Sequence, residues 1–156
     1  SRLGVSSVFH GPPPELRLFD TPEAESVAVG AWIDARLKEG APPQTIAVLV
    51  RSEKERPRAS AAIAASSGRD IQPVLMHDAK GREFRAVAVM ACDADVLPSE
   101  SRLLEASDER ALKEIYDTER HLLYVAATRA RERLWISASG TPSEFLEDLM
   151  SGHSVV

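Results

Sequence analysis

His77-Asp-Ala-Lys80-Gly81-Arg82-Glu83-Phe84 puts an imidazole, an ammonium, a carboxylate and a glycine into one short polar turn. A second segment runs Glu119-Arg120-His121-Leu-Leu-Tyr124-Val-Ala-Ala-Thr128-Arg129-Ala130-Arg131-Glu132-Arg133, an apolar helical stretch that ends among arginines. These side chains suit anions. Lys80 and His77 can neutralise or hydrogen-bond phosphates, or tie the turn to its neighbours. The guanidinium fork matches phosphate and carboxylate geometry. Gly81 allows close backbone approach to a ligand or a positive φ. On position alone, Arg129 is equally a cation complementing a helix C-terminus, and Glu83 a solvated carboxylate.

Other chemistries lack their parts. The eight glycines are at least seven residues apart, so G-x-G-x-x-G cannot occur, and Lys80 precedes Gly81 where a phosphate loop needs the reverse. There is no H-E-x-x-H and no G-x-S-x-G, and His10, His77, His121 and His153 lack ligand spacing. The single Cys92 excludes a disulfide framework and a cysteine zinc site. No metal site is expected in this chain.

Taken together and in this order, the two segments resemble motifs V and VI of the UvrD/Rep family of superfamily 1 DNA helicases. His77, Lys80, Gly81, Glu83 and Phe84 meet H-x-x-K-G-x-E-F, and Leu123 through Arg131 meet L-Y-V-x-x-T-R-A-R. Ile46 to Ser52 is more loosely similar to motif IV, and Leu97-Pro98 follows the motif V strand as in the family. The resemblance covers about residues 15–149. It implies an α/β, RecA-like (P-loop NTPase-type) fold, a mainly parallel sheet with helices on both faces. Such helicases pair two RecA-like domains across an ATP cleft. The first carries the phosphate loop and the Mg2+-binding carboxylates, and the second carries motifs IV to VI. This chain would be the second domain, with the N-terminal RecA-like domain and single-stranded DNA as partners, and inactive alone.

The resemblance also implies roles. Arg129 would be the catalytic finger on the γ-phosphate, Glu83 the partner of the ribose hydroxyl, and Gly81 a backbone contact to ATP. Either Arg56 or Arg58 would be the motif IV arginine that also nears the γ-phosphate, Pro57 leaving the register open. Met76, His77 and Lys80 would line the DNA. Two positions depart from the family: Met76 stands where Thr is usual, and Arg82 where Leu is usual. The subdomain inserted between motifs IV and V in the family is also missing, since about twenty residues separate Arg56 from His77. These departures keep open an alternative, a degenerate non-catalytic helicase-like domain that binds a partner protein or DNA.

The elements that must hold these residues alternate. Residues 1–14, ending in three prolines, read as a lead-in, and 151–156 as a flexible tail, leaving 15–150 as the domain. Strands are expected at 15–20, 45–50, 72–76, 86–92 and 133–137, the second buried on both faces. Helices are expected from Thr21 or Asp20 to Gly40, at 54–67, 108–131 and 142–150. Leu112, Ile115, Tyr116, Leu122, Leu123, Ala126 and Ala130 should face the core. Alternation of this kind implies a mainly parallel sheet whose ligands sit at the carboxyl ends of the strands.

Composition bounds the rest. At 156 residues, 44% hydrophobic and 28% charged, the chain suits one globular domain. No run approaches a membrane span and no leader is legible, so a cytoplasmic setting without membrane is expected. The net charge of −5 conceals a stretch from Asp93 to Glu119 at −6 and one from Arg120 to Arg133 at +3. Fifteen of the 19 basic residues are arginine, the side chain better suited to bidentate anion recognition.

Overall fold

The computed structural model describes residues 12–151. The lead-in therefore lies outside the described residues up to position 11, and the tail from position 152. In chain order the elements are β1 (Glu15–Phe19), α1 (Pro22–Lys38), β2 (Ile46–Val50), α2 (Arg56–Ala64), β3 (Pro73–Leu75) and β4 (Phe84–Val89). Then follow α3 (Glu100–Leu103), α4 (Glu109–Ala127), β5 (Ala130–Ser139) and α5 (Phe145–Ser151).

The strands form one sheet in the order β1-β5-β4-β2-β3, and all four strand pairings are parallel. All five residues of β2 are buried, as its unbroken apolar run requires. Leu49, Val87, Leu134 and Ile136 pack on one face with Leu123, Ala126, Phe145 and Leu149. Val48, Ala88 and Trp135 pack on the other with Val29, Ile33, Ala59 and Ala62. The helices thus cover both faces, α1 and α2 one, α4 and α5 the other. Each fully buried Ile or Leu here contributes about 1.5–3 kcal/mol.

Local chemistry sets the helix ends. Thr21 Oγ1 accepts from the Ala24 N–H at 3.1 Å, with Pro22 in the first turn, and Asp108 caps α4 by accepting from Ala111 N–H at 2.8 Å. Helix α4 stops at Ala127, short of the expected Arg131, because Ala130 is already paired with Phe84 in the sheet. Leu112, expected in the core, is 38% exposed, and none of residues 109–114 is buried. Helix α2 ends at Ala64, short of the expected 67, after a 3₁₀ turn at Glu53–Glu55. Gly30 lets α1 and α2 meet: a Cβ there would lie 2.8 Å from Ala65 Cβ and 2.9 Å from the Ala62 carbonyl oxygen.

One connection matters most for function. Strands β3 and β4 flank β2 and run the same way. The chain must therefore return from the carboxyl edge of the sheet to the amino edge between Leu75 and Phe84. It does so through a 3₁₀ turn at Met76–Asp78 and a tight turn in which Arg82 N–H donates to the Ala79 carbonyl at 3.0 Å. Met76 and Ala79 seal this strap against Leu123, Ala126 and Ala127.

Candidate functional site

The strap delivers Lys80 to Glu83 to the amino edge of the sheet, beside the start of β5. There Phe84 N–H donates to the Arg129 carbonyl at 2.9 Å. The Arg129 guanidinium returns across the same gap, Nη1 donating to the Arg82 carbonyl at 3.3 Å and Nε to the Val125 carbonyl at 3.2 Å. Its Nη2 approaches Thr128 Oγ1 at 3.4 Å, and Thr128 Oγ1 itself donates to Val125 O at 2.8 Å. Gly81 turns the loop with φ +79°, and nothing lies within 4 Å of where its Cβ would be. The Arg82 guanidinium sits 4.9 Å from the centre of the Phe84 ring. Glu83 is exposed, with Arg131 Nε at 3.8 Å. Lys80, Arg82, Arg129 and Arg131 thus stand against Glu83, with Arg85 and Glu132 paired beside them at 2.7 Å, a net cationic edge on an acidic chain. That donor set suits a polyanion.

The carboxyl edge is built differently. Arg58, in the first turn of α2, donates through Nη1 to Asp93 Oδ2 at 2.6 Å and through Nη2 to Glu25 and to Ser139 Oγ, the latter at 3.0 Å. Glu25 is wholly buried; its second oxygen accepts from Ala91 N–H at 2.9 Å and Ser137 Oγ at 2.6 Å. Asp93 also accepts from Ser139 N–H at 2.9 Å. Burial by itself would lower the Arg58 pKa, but Asp93 and Glu25 outweigh it and hold the pKa above its usual value. Nearby, Arg51 at the end of β2 makes a two-pronged bond to Glu119, which also accepts from Ser99 N–H at 2.8 Å. Arg51, Arg58, Asp93 and Ser99 line a cleft of about 370 Å³ with Ser52, Lys54, Glu55 and Asp95.

The residues singled out in the sequence therefore divide. Gly81, Glu83 and Arg129 share the amino edge, with Lys80 beside them. Arg58 does not join them: it bonds Ser139, at the far end of β5, whereas Arg129 precedes Ala130. Those ends are ~30 Å apart at 3.3 Å per residue, so one phosphate cannot meet both, and the Arg58 charge is already neutralised. Arg56 is more open but pairs with Glu53 at 2.7 Å and reaches the Pro73 carbonyl at 3.3 Å, on the far side of β2 from Arg129. His77 is exposed on the strap near Asp78, at 3.5 Å. Met76, expected to line DNA, is 1% exposed and packed in the core, so its side chain cannot touch a nucleic acid in this arrangement.

Expecting ligands at the carboxyl ends of the strands misplaced the strap, whose polar half lies at the opposite edge. Sequence reasoning also missed Glu25, Asp93 and Glu119 as buried ion-pair partners. Glu119 had a visible signal, a carboxylate one helical turn before Leu123 on the core-facing side of α4. Glu25 and Asp93 had none, because only the fold brings them to Arg58. Among the described residues, no cluster of three or more His, Cys, Asp or Glu has metal-holding geometry.

A family model described as the UvrD-like helicase C-terminal domain matches residues 58–141, more than half of the chain. The chain is 35% identical over 96 residues to the ATP-dependent DNA helicase PcrA of Staphylococcus epidermidis, a match spanning 52% of this chain and 12% of PcrA. PcrA of Staphylococcus aureus is 34% identical over the same length, again with 52% and 12% covered. The chain thus spans about an eighth of the length of these relatives. Among solved structures, the C-terminal domain of a possible DNA helicase from Lactobacillus plantarum WCFS1 superposes with a TM-score of 0.64. It is 23% identical and the match covers 90% of this chain and 82% of that one, a likeness of fold.

Proposed function

The chain belongs to the UvrD-like helicase C-terminal domain family, and on that premise we propose that residues 15–150 are the second RecA-like motor domain of a cytoplasmic ATP-dependent DNA helicase. Its amino edge would face an N-terminal RecA-like domain in the parent protein, across a shared ATP cleft. Arg129 would meet the γ-phosphate, Glu83 the ribose hydroxyl, and the Gly81 backbone would lie close to the nucleotide. Mg2+ would be held by carboxylates of the other domain. Bound ATP supplies the phosphoryl group whose transfer to water drives the motor. What this chain contributes is positive charge fixed where negative charge develops, an effect worth ~10³–10⁵ in rate for an arginine finger.

The observation that carries this reading is the bond from Arg129 Nη1 to the Arg82 carbonyl. It joins the motif VI arginine to the motif V loop at one cationic edge, as a shared nucleotide site requires. Single-stranded DNA would run along the opposite edge, past His77 and Arg56, while Lys80 stands at the amino edge beside Gly81. No helix among the described residues is long and apolar enough to cross a membrane.

The test is Arg129→Ala in the full-length parent protein. We expect kcat for ATP hydrolysis to fall at least about a hundredfold, with ATP affinity changed less. Arg133→Ala is the control, since Arg133 pairs with Glu39 at 3.3 Å and lies inside β5. Equal losses in the two variants would sink the reading.

The carboxyl-edge cleft, lined by charges of both signs with Lys54, Glu55, Asp95 and Glu100 beside the paired Arg58 and Asp93, favours a second reading, a degenerate non-catalytic domain that binds a partner protein or DNA there. That reading predicts that Arg129→Ala leaves the parent's ATP turnover, whatever its level, unchanged.

A further inference from the structure

Two arginines emerge side by side at the amino edge, and only one has a role in the reading above. The Arg82 carbonyl is the acceptor for Arg129 Nη1, so the Arg129 guanidinium ends at the backbone from which the Arg82 side chain starts. Yet their surroundings differ. Arg129 is half-buried and has three of its five N–H groups directed at Val125 O, Arg82 O and Thr128 Oγ1. Arg82 is exposed and is held by the face of Phe84 at 4.9 Å. That contact fixes a cation through the ring's quadrupole and leaves its N–H edge open.

Among the described residues neither arginine makes an ion pair. The adjacent Glu83, the obvious candidate, is approached by Arg131 instead, at 3.8 Å. Two unpaired like charges brought to one loop repel each other, and a multiply charged anion between them would remove that repulsion. The loop leaves room for one: Gly81, at φ +79°, has nothing within 4 Å of its would-be Cβ.

We infer that Arg82 is a second terminal-phosphate contact, forming with Arg129 a two-arginine clamp that selects a nucleoside triphosphate over a diphosphate. This rests on the motor-domain reading and adds to it a division of labour. Arg82 is docked on Phe84 before any ligand arrives, so its contribution is to ground-state binding. Arg129 has two N–H groups free and presents its full fork only by giving up its bonds to Val125 and Arg82, so its contribution comes later, as charge develops.

The experiment uses the full-length parent protein with Arg82→Leu, Arg82→Lys and Arg129→Ala. Steady-state ATP hydrolysis is measured with ADP as a competitive inhibitor. Arg82→Leu should raise KM for ATP about tenfold, the scale of one lost charge-assisted contact. Its kcat should stay within about twofold and its Ki for ADP should not move. Arg82→Lys should fall between wild type and Arg82→Leu, since it keeps charge but loses the fork. An unchanged KM for ATP would overturn the inference. So would an equal weakening of ATP and ADP, or a loss confined to single-stranded DNA affinity. If Arg129→Ala hydrolyses ATP normally, the motor reading fails and the clamp fails with it. If Arg129→Ala is crippled while Arg82→Leu is normal, only the clamp fails.

Discussion

Glu119, in the third turn of α4 and wholly inaccessible to solvent, grips Arg51 at the end of β2 through both carboxylate oxygens, at 2.9 and 2.6 Å. The pair pins the middle of α4 to the sheet, and with it the helix end that presents Arg129. Removing one partner strands a buried charge. Arg51→Met should therefore destabilise the domain by about 3–5 kcal/mol in urea unfolding, whereas the double variant Arg51→Met with Glu119→Leu should recover much of the loss. Additive losses in the double variant would show that the two residues do not act as a pair.

Arg58 and Arg56 lie one residue either side of Pro57 but should behave differently. Arg58 neutralises Glu25, which is 0% exposed, so Arg58→Ala should cost about 3–5 kcal/mol. Arg56 pairs with an exposed Glu53 and is itself open, so Arg56→Ala should stay within about 0.5–1 kcal/mol. Chemical denaturation of both variants decides it, and similar losses would contradict the burial difference.

Gly30 reverses a simple propensity rule. Alanine in a helix interior is worth about 1 kcal/mol over glycine, yet the added Cβ would press on the Ala62 carbonyl and Ala65. Overpacking of this kind costs about 1–3 kcal/mol. Gly30→Ala should lower the melting temperature by a few degrees, roughly 2–4 °C per kcal/mol for a chain of this size. A raised melting temperature would mean that α1 and α2 can separate freely.

Acid should loosen the contact between α1 and the loop after α2. Asp34 accepts from Ser67 N–H and Ser67 Oγ, both at 2.8 Å, and the backbone bond followed by the hydroxyl bond lowers its pKa. A carboxyl whose pKa is depressed by folding adds stability above its unfolded value, about 3.9, and loses it as pH falls through the folded value. Asp34→Asn should therefore be slightly less stable at neutral pH and show a shallower loss below about pH 4. Parallel acid-unfolding curves for the two proteins would rule this out.

Cys92 is fully buried, and burial, then Glu25 and Asp93, push its thiol pKa well up. Since the thiolate is the reactive form, labelling of Cys92 by an aromatic disulfide reagent should follow unfolding. Rapid labelling of the native domain would show that the carboxyl-edge network opens locally.

Much of the fold was legible because its signals are local. The unbroken apolar run of β2, the Thr21 and Asp108 caps and the order of strands and helices all act over a few residues. The ends were less legible: α4 was expected to continue to Arg131, and only pairing with Phe84 converts Ala130 into a strand residue. The site was legible as residue types but not as places. Nothing in the spacing of His77 and Glu83 says that they belong to opposite edges, because that depends on β3 and β4 running parallel with β2 between them. Met76 had its own signal in its apolar side chain, which favours the core once no hydroxyl is present.

The strap from Met76 to Glu83 has a mechanical consequence. It must run from the end of β3 to the start of β4, a drop of ~20 Å along the strands and ~10 Å across them. The nine Cα–Cα steps from Leu75 to Phe84 can reach at most ~32 Å, and much of that length is spent in the 3₁₀ turn and the tight turn after it. The segment therefore carries almost no slack. Pulling on His77 cannot be absorbed locally: it must either unwind the turn at Met76–Asp78 or tug directly on Arg82, whose carbonyl holds Arg129.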